Sequence, residues 1–361
     1  MKIAFIGQKG IPAKNGGVER YVESLATNLA NLGQEVLAYN RNDYLTEPLA
    51  EYHGVRIINR PYINTKNLAN ITQTLAAIFH VAREKADVIH FQGIGPSLLC
   101  WLPKILNPRV KIVATLHSFD YYNDKWSGFA KMMLRFGEKL MCRYADEVIV
   151  LTQLMADYVK GTYHREATIV PNGADLYNGT ADNELRIWDL KKDSYILGVS
   201  RIIKLKGYQY LIPAFKDLKT DKKLVITGDG EYLPELRQLA GNDPRIIFTG
   251  NQKGAILDQL YANAYLFVQS SEMEGLSISL LEAMAHKNAC LVSDISANLN
   301  VVQDTGFVFS SKDTASLRDK LQFLIDNPQE VENTAQKAYE RIQNNFLWSD
   351  VAQKVLEVYK K

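Results

Sequence analysis

Residues 1–40 read MKIAFIGQKGIPAKNGGVERYVESLATNLANLGQEVLAYN. Residues 3–7 form a short, nearly continuous apolar run, which is how a strand buried on both faces reads. A glycine loop follows, Gly7-Gln8-Lys9-Gly10-Ile11-Pro12 and then Asn15-Gly16-Gly17. After it Val18, Val22, Leu25, Leu29 and Leu32 recur at steps of three and four, and Gly33 ends the run. That spacing predicts an amphipathic helix over 17–32 with a glycine stop. Residues 35–39 return to strand. Strand, helix and strand in this order imply a parallel pair joined by a right-handed crossover.

The same alternation continues outward. Strand-like runs lie at 56–59, 88–91, 111–116, 147–151 and 168–170, then at 196–199, 223–227, 245–249, 264–269, 289–292 and 307–309. Helical patterns separate them, such as 207–218 and 277–286. The chain has 361 residues, more than one ordinary core holds at roughly 100–200 residues per domain. The expected architecture is therefore α/β, with two doubly wound domains whose strand ends face one cleft, where ligands of such sheets bind. Residues 1–172 make the first domain and 194–340 the second. The polar, Asn/Asp/Gly-rich stretch 173–193 is expected to link them. The helical pattern at 348–359 has no strand after it, so 341–361 is expected to cross back onto the first domain.

Composition narrows the class. Lys+Arg number 42 against Asp+Glu 40, giving a net charge of +2. That balance argues against a general nucleic-acid binder, which shows a strong basic excess. Cys100, Cys142 and Cys290 are odd in number and far apart, so neither a disulfide framework nor a zinc site is expected. No run of about 18 apolar residues occurs, and the start is too quickly polar for a signal peptide. A cytoplasmic location is expected.

Chemistry concentrates after three strands. The first glycine loop ends at a helix start, where glycines admit an anion and free N–H groups favour negative charge. A plain strand-to-helix turn would read the same way. The G-x-G-x-x-G spacing of a nicotinamide-dinucleotide fold is absent, which speaks against a dehydrogenase. The second loop is Arg201-Ile-Ile-Lys204-Leu-Lys206-Gly207. Positive groups beside a helix start suit a diphosphate leaving group, whose developing charge they would offset; a solvated basic loop is the plain alternative. The third is Glu272-Met273-Glu274-Gly275-Leu276-Ser277-Ile278-Ser279-Leu280-Leu281-Glu282. Glu274 is expected in the loop and Glu282 about two turns into a helix starting near Ser277. Carboxylates accept from paired hydroxyls, as on a sugar or a ribose. The amides of Gly275, Leu276 and Ser277 would meet an anion between them. His117 ends the run at 111–116, at a strand edge where sites lie in such folds. No Asp-x-Asp occurs, so positive side chains and amides, rather than a metal, are expected to hold the diphosphate.

Together these motifs resemble glycosyltransferase family four, the retaining family with the two-domain GT-B fold. The E-x7-E pair Glu274/Glu282, the Arg201/Lys206-Gly207 pair, Gly16-Gly17-Val18-Glu19 and Val170-Pro-Asn-Gly173 appear in the family's order over essentially the whole chain. The resemblance implies that Arg201 and Lys206 bind the donor diphosphate, Glu282 the ribose and Glu274 the transferred sugar. It implies Gly16 and Gly17 at the donor phosphate or sugar, His117 in the sugar pocket, and Gly250 and Asn251 near the base. The first domain would bind the acceptor and the second the UDP-, dTDP- or GDP-sugar. Front-side attack would need no side-chain nucleophile and no cofactor. A narrower likeness, Gly-Gln-Lys-Gly-Ile-Pro-Ala at 7–13 with residues 114–120 and 125–130, is similar to a bacterial rhamnosyl- or related transferase subgroup that builds surface polysaccharides. Ser118 stands where that subgroup usually has Gly. Competing readings are a nucleotide-sugar 2-epimerase on the same fold and a non-catalytic sugar-nucleotide-binding subunit.

Lys131, Arg135, Lys139 and Arg143 recur every four residues beside Met132, Met133, Phe136, Leu140 and Met141. A basic stripe flanking apolar residues suits an anionic membrane surface, and hence a polyprenyl-diphosphate-linked acceptor and a peripheral position on the membrane's inner face. A core helix with a solvated basic face is the plain alternative.

Overall fold

The computed structural model describes residues 1–14, 16–65, 68–122, 126–179 and 181–361; Asn15 and Lys125 of the motifs above lie outside the described residues. The chain divides into two compact units, Met1–Asn172 with Trp348–Lys361, and Gly173–Leu347.

Unit 1 is built on β1 (Lys2–Ile6), β2 (Glu35–Arg41), β3 (Glu51–Tyr52), β4 (Val55–Arg60), β5 (Val88–Gln92), β6 (Lys111–Leu116), β7 (Glu147–Val150) and β8 (Thr168–Ile169). The sheet order is β3-β4-β2-β1-β5-β6-β7-β8. All pairings are parallel except β3 with β4. Residues Ile3, Ala4, Phe5 and Ile6 have no exposed surface, which is why β1 reads as an unbroken apolar run. The helices are α1 (Gly17–Asn31), α2 (Ala69–Glu84), α3 (Leu102–Leu106), α4 (Gly128–Tyr144) and α5 (Gln153–Tyr163). α1 buries Tyr21, Val22, Leu25 and Leu29 on one stripe, and each such large apolar side chain contributes roughly 1.5–3 kcal/mol. β3 goes unmarked in the sequence because two residues are too few to show alternation.

Unit 2 carries β9 (Tyr195–Val199), β10 (Lys223–Thr227), β11 (Ile246–Gly250), β12 (Leu266–Gln269), β13 (Cys290–Ser293) and β14 (Phe307–Phe309). They form one parallel sheet in the order β11-β10-β9-β12-β13-β14. Its helices are α6 (Tyr208–Lys216), α7 (Leu233–Ala240), α8 (Gly254–Ala262), α9 (Ile278–Ala285), α10 (Ser296–Val302), α11 (Thr314–Asp326) and α12 (Pro328–Asn345).

Two expected boundaries are corrected. The stretch 173–193 is not a free link but part of unit 2. It holds a 3-10 turn, Asn183–Trp188, that buries Leu185. The Glu184 amide donates to Gln259 of α8 at 3.0 Å, and Asn263 Nδ2 donates to the Ala181 carbonyl at 3.0 Å. Its buried apolar residues, Ala174, Leu185 and Leu190, are too few and too unevenly spaced to leave a periodic trace. The returning segment also begins later than 341. α12 stays in unit 2, where the Ala174 amide donates to the Phe346 carbonyl at 2.8 Å. Only α13 (Trp348–Lys360) joins unit 1. Its Trp348 ring meets Tyr21 of α1 edge-on at 5.7 Å, and its Val358 carbonyl accepts from Lys111 Nζ at 2.9 Å.

Candidate active site

In an open parallel sheet the crevice lies where strand order reverses. In unit 2 that point is between β9 and β12, and the two expected charged loops leave those strands. After β9 the chain makes a short 3-10 turn, Lys204–Lys206, and enters α6 through Gly207. Gly207 has φ 73, and a Cβ there would land on the Ser270 carbonyl oxygen, so only glycine fits. That close approach sews the loops together. The Glu272 amide donates to the Leu205 carbonyl at 2.8 Å, and Ser270 Oγ donates to the Lys206 carbonyl at 3.0 Å.

The result is a contact between residues far apart in sequence. Lys206 Nζ donates to Glu274 Oε1 at 2.6 Å, with Glu274 only 10% exposed. Ser271 Oγ donates to the same oxygen at 2.6 Å. Among the described residues, Glu274 Oε2 has no hydrogen-bond partner, so it is left to accept from a ligand. Arg201 points elsewhere: its guanidinium donates to Glu231 Oε2 at 3.0 Å, and both side chains are about half exposed. The structure brings Lys206 and Glu274 together and does not bring Arg201 into that contact.

Ser277 caps α9 rather than starting it, with its Oγ accepting from the Leu280 amide at 3.3 Å. Gly275, Leu276 and Ser277 are buried in the loop before it. Glu282 falls in the second turn of this eight-residue helix, near the expected place about two turns in. It accepts from Tyr261 Oη at 3.4 Å. Gly250 closes β11 with φ 70, and its carbonyl accepts from the Gly228 amide at 2.8 Å. Asn251 follows on the surface.

In unit 1 the order reverses between β1 and β5. The glycine loop after β1 is held from below by acids of α1. Glu19 accepts from the Lys9 amide at 3.0 Å, and Glu23 accepts from the Ala13 amide at 3.2 Å. Asn40 is wholly buried and brackets Ile11, accepting from its amide at 3.0 Å and donating to its carbonyl at 2.7 Å. Gly16, at φ 101, is the N-cap of α1, and a Cβ there would meet the Glu19 carboxylate. Gly17 is exposed, with nothing within 4 Å of where a Cβ would stand. His117 follows β6, its Nε2 2.9 Å from Gln92 Oε1, and its ring meets Tyr21 at 4.7 Å. Burial pushes its imidazole down to about 3, so it is neutral at neutral pH.

Residues 15–177 match the family described as Glycosyltransferase Family 4, and residues 182–341 match Glycosyl transferases group 1. The chain belongs to glycosyltransferase family four. This glycosyltransferase is similar to N-acetyl-alpha-D-glucosaminyl L-malate synthase of Bacillus anthracis, at 26% identity over 77% of this chain and 75% of that one. It is also similar to the Escherichia coli UDP-Gal:alpha-D-GlcNAc-diphosphoundecaprenol alpha-1,3-galactosyltransferase, at 25% identity over 78% of each. A crystal structure of Anabaena HepE in complex with UDP-glucose aligns with 100% of this chain and 99% of its own, at 21% identity and a TM-score of 0.81. The fold is GT-B, two parallel-sheet Rossmann-like units. The protein is an enzyme that transfers sugar from a nucleotide-activated donor.

The transferase's basic helix is α4. Lys131 is part-buried, and Arg135, Lys139 and Arg143 are exposed. Their apolar neighbours differ from expectation. Met141 is buried and Met133 and Leu140 are partly so; the helix packs on the Pro96–Leu99 turn and on α5. The outward apolar row is Phe129, Met132 and Phe136, at 70%, 57% and 49% exposure. The helix is anchored by the wholly buried Glu138, which accepts from Tyr158 at 2.8 Å and Tyr163 at 2.7 Å. Among the described residues, no helix is long and apolar enough to cross a membrane. The sequence reading missed Ser271, Glu231 and Gln92. Only Gln92 left a trace, as an amide ending the apolar run Val88-Ile-His-Phe.

Proposed function

We propose that the enzyme is a retaining transferase that passes a hexose or deoxyhexose from a nucleotide-diphosphate sugar to a hydroxyl of a lipid-linked or growing bacterial surface glycan. The observation that carries the donor assignment is the Lys206–Glu274 contact at the switch point of unit 2. It sets a cation for the leaving diphosphate beside a carboxylate with one oxygen open to sugar hydroxyls. Lys206 has three N–H donors, so it can keep Glu274 and still meet a phosphate oxygen. Arg201, about half exposed, turns from Glu231 to the same diphosphate, and the amides of Gly275 to Ser277 add to it. Glu282 takes the ribose, with Gly250 and Asn251 near the base. Gly16, Gly17 and His117 of unit 1 are assigned to the transferred sugar and its phosphate. The positive side chains and amides hold the diphosphate without a metal. Attack on the face the diphosphate leaves, with a phosphate oxygen taking the acceptor's proton, gives retention without a protein nucleophile. HepE's complex with UDP-glucose and the diphosphoundecaprenol acceptor of the Escherichia coli relative support this donor and acceptor class.

The test is thermal shift against UDP-glucose, GDP-mannose, ADP-glucose and dTDP-rhamnose, with and without EDTA. A ligand at 100 times its Kd adds about 2.7 kcal/mol. One nucleotide sugar should stabilise the protein equally in EDTA, and Arg201→Ala with Lys206→Ala should abolish the shift. No shift with any of them would sink the donor site, and a shift lost in EDTA would sink the metal-free reading.

The α4 face, basic beside Phe129, Met132 and Phe136, supports docking on an anionic membrane where a lipid-linked acceptor resides. Changing Lys131, Arg135, Lys139 and Arg143 together to Glu should abolish sedimentation with phosphatidylglycerol vesicles. Unchanged sedimentation would refute this part.

A further inference from the structure

Two neighbouring strands set a row of polar side chains on one face of the unit 1 sheet. On β5 these are His90 and Gln92; on and just after β6 they are Thr115 and His117. Gln92 pairs with Thr115 in the parallel register, so the Gln92 side chain can reach His117 two residues on. His90 is wholly buried and both its ring nitrogens are engaged. Nδ1 lies 2.7 Å from Tyr359 Oη of α13, and Nε2 lies 2.6 Å from Thr115 Oγ1. Gln92, nearly buried, sits above it. Its Nε2 donates to the His90 carbonyl at 3.4 Å, which turns its Oε1 toward His117 Nε2 at 2.9 Å.

A carboxamide oxygen only accepts, and a neutral imidazole carries one N–H. The proton of His117 therefore sits on Nε2, and Nδ1 keeps its lone pair. Nδ1 has no hydrogen-bond partner among the described residues, and it is not among the buried polar atoms left without one, so it is open to solvent. The Tyr21 ring, itself braced by Trp348, holds the imidazole edge-on. The ring thus cannot turn freely to exchange its two nitrogens.

We propose that Gln92 is a positioning residue that fixes His117 as the Nε2–H tautomer, so that its Nδ1 accepts a hydrogen bond from a substrate hydroxyl. A lone pair repels a phosphate oxyanion, so His117 reads a hydroxyl-bearing part of the substrate and not the diphosphate. This second half rests on His117 lining the sugar site as proposed above; the tautomer does not.

The experiment is ¹⁵N NMR of the full chain with labelled histidine, the His117 signals being those lost in His117→Asn. The free wild type should show a protonated Nε2 and an unprotonated Nδ1. Gln92→Glu, which keeps an acceptor at the same place, should retain that pattern. Gln92→Leu should give mixed tautomers and lower kcat/KM roughly tenfold, the cost of a buried donor left without its partner. A protonated Nδ1 in the wild type, or a pure Nε2–H tautomer surviving in Gln92→Leu, would overturn the assignment. The nucleotide sugar that stabilises the protein in the panel above should shift His117 Nδ1, and its bare nucleoside diphosphate should not. A shift by the diphosphate alone refutes hydroxyl recognition. Absence of any nucleotide binding refutes the donor site and leaves the tautomer result standing.

Discussion

Lys206→Met keeps the side chain's stem and removes its ammonium. In the folded protein that ammonium lies 2.6 Å from Glu274 Oε1, and both groups retain some contact with water, at 19% and 10% exposure. A hydrogen bond to a charged group contributes about 1.5–3 kcal/mol, and partial exposure moves this pair to or below the lower end. Glu274 also keeps the Ser271 hydroxyl at 2.6 Å, so its charge is not orphaned. The expected loss of stability is then about 1–1.5 kcal/mol, a fall of roughly 3–5 °C in the melting of unit 2. Turnover responds on a different scale. A preorganised donor aimed at charge that develops in the transition state supplies about 10²–10³ in kcat, so Lys206→Met should lose that much. Glu274→Gln and the double variant complete a cycle in which the two changes couple by about 1 kcal/mol in stability. Differential scanning and steady-state release of the nucleoside diphosphate read the two scales separately. If the melting temperature falls as calculated while kcat stays within about threefold, against the 10²–10³ expected, Lys206 is a strut for Glu274 and the leaving-group role is wrong.

Gly207→Ala should cost about 3 kcal/mol or more, combining left-handed strain with collision against the Ser270 carbonyl. Gly250→Ala, at φ 70 but with nothing within 4 Å, should cost only about 1–2 kcal/mol; equal urea midpoints for the two would refute the close-approach argument. Burial pushes His90 and His117 from 6.5 down to about 3. The unfolded chain therefore binds more protons below about pH 6.5, and stability falls from there toward about pH 3, by up to about 1.4 kcal/mol per pH unit for each imidazole. His90→Asn should flatten this slope in urea titrations between those limits, and an unchanged slope would count against it. Glu138→Leu should destabilise by about 2–3 kcal/mol by leaving the Tyr158 and Tyr163 hydroxyls without their acceptor, and a wild-type midpoint in guanidinium would show that α4 is anchored otherwise.

Why the fold reads so directly is plain from residues 1–40. Both faces of β1 are covered, so its apolar run is unbroken, and α1 shows a clean stripe because one side meets the sheet. The other central strands share that environment and fall within a residue or two of their sequence-expected ends. Segments with a single anchor escape notice: the turn at Asn183–Trp188 buries Leu185 and leaves Ile187 exposed. The charged site residues are visible because they crowd into short loops after apolar runs. Their partners are not. Lys206 meets Glu274 because one backbone bond and one serine hydroxyl tie the two loops together, and neither marks its distant partner in the sequence. Gln92 looks like a strand's polar end; its role appears only when β6 is laid beside β5.

The first unit is made from two segments far apart in sequence, Met1–Asn172 and Trp348–Lys361. Trp348 and Tyr359 close over Tyr21 and His90, so during synthesis unit 1 waits for α13, which follows the whole of unit 2. Unit 2, Gly173–Leu347, is already complete by then. The unit begun before unit 2 is therefore finished after it. A premature stop just after Leu347 would leave the second unit whole and strip the first of the side chains that close over Tyr21 and His90.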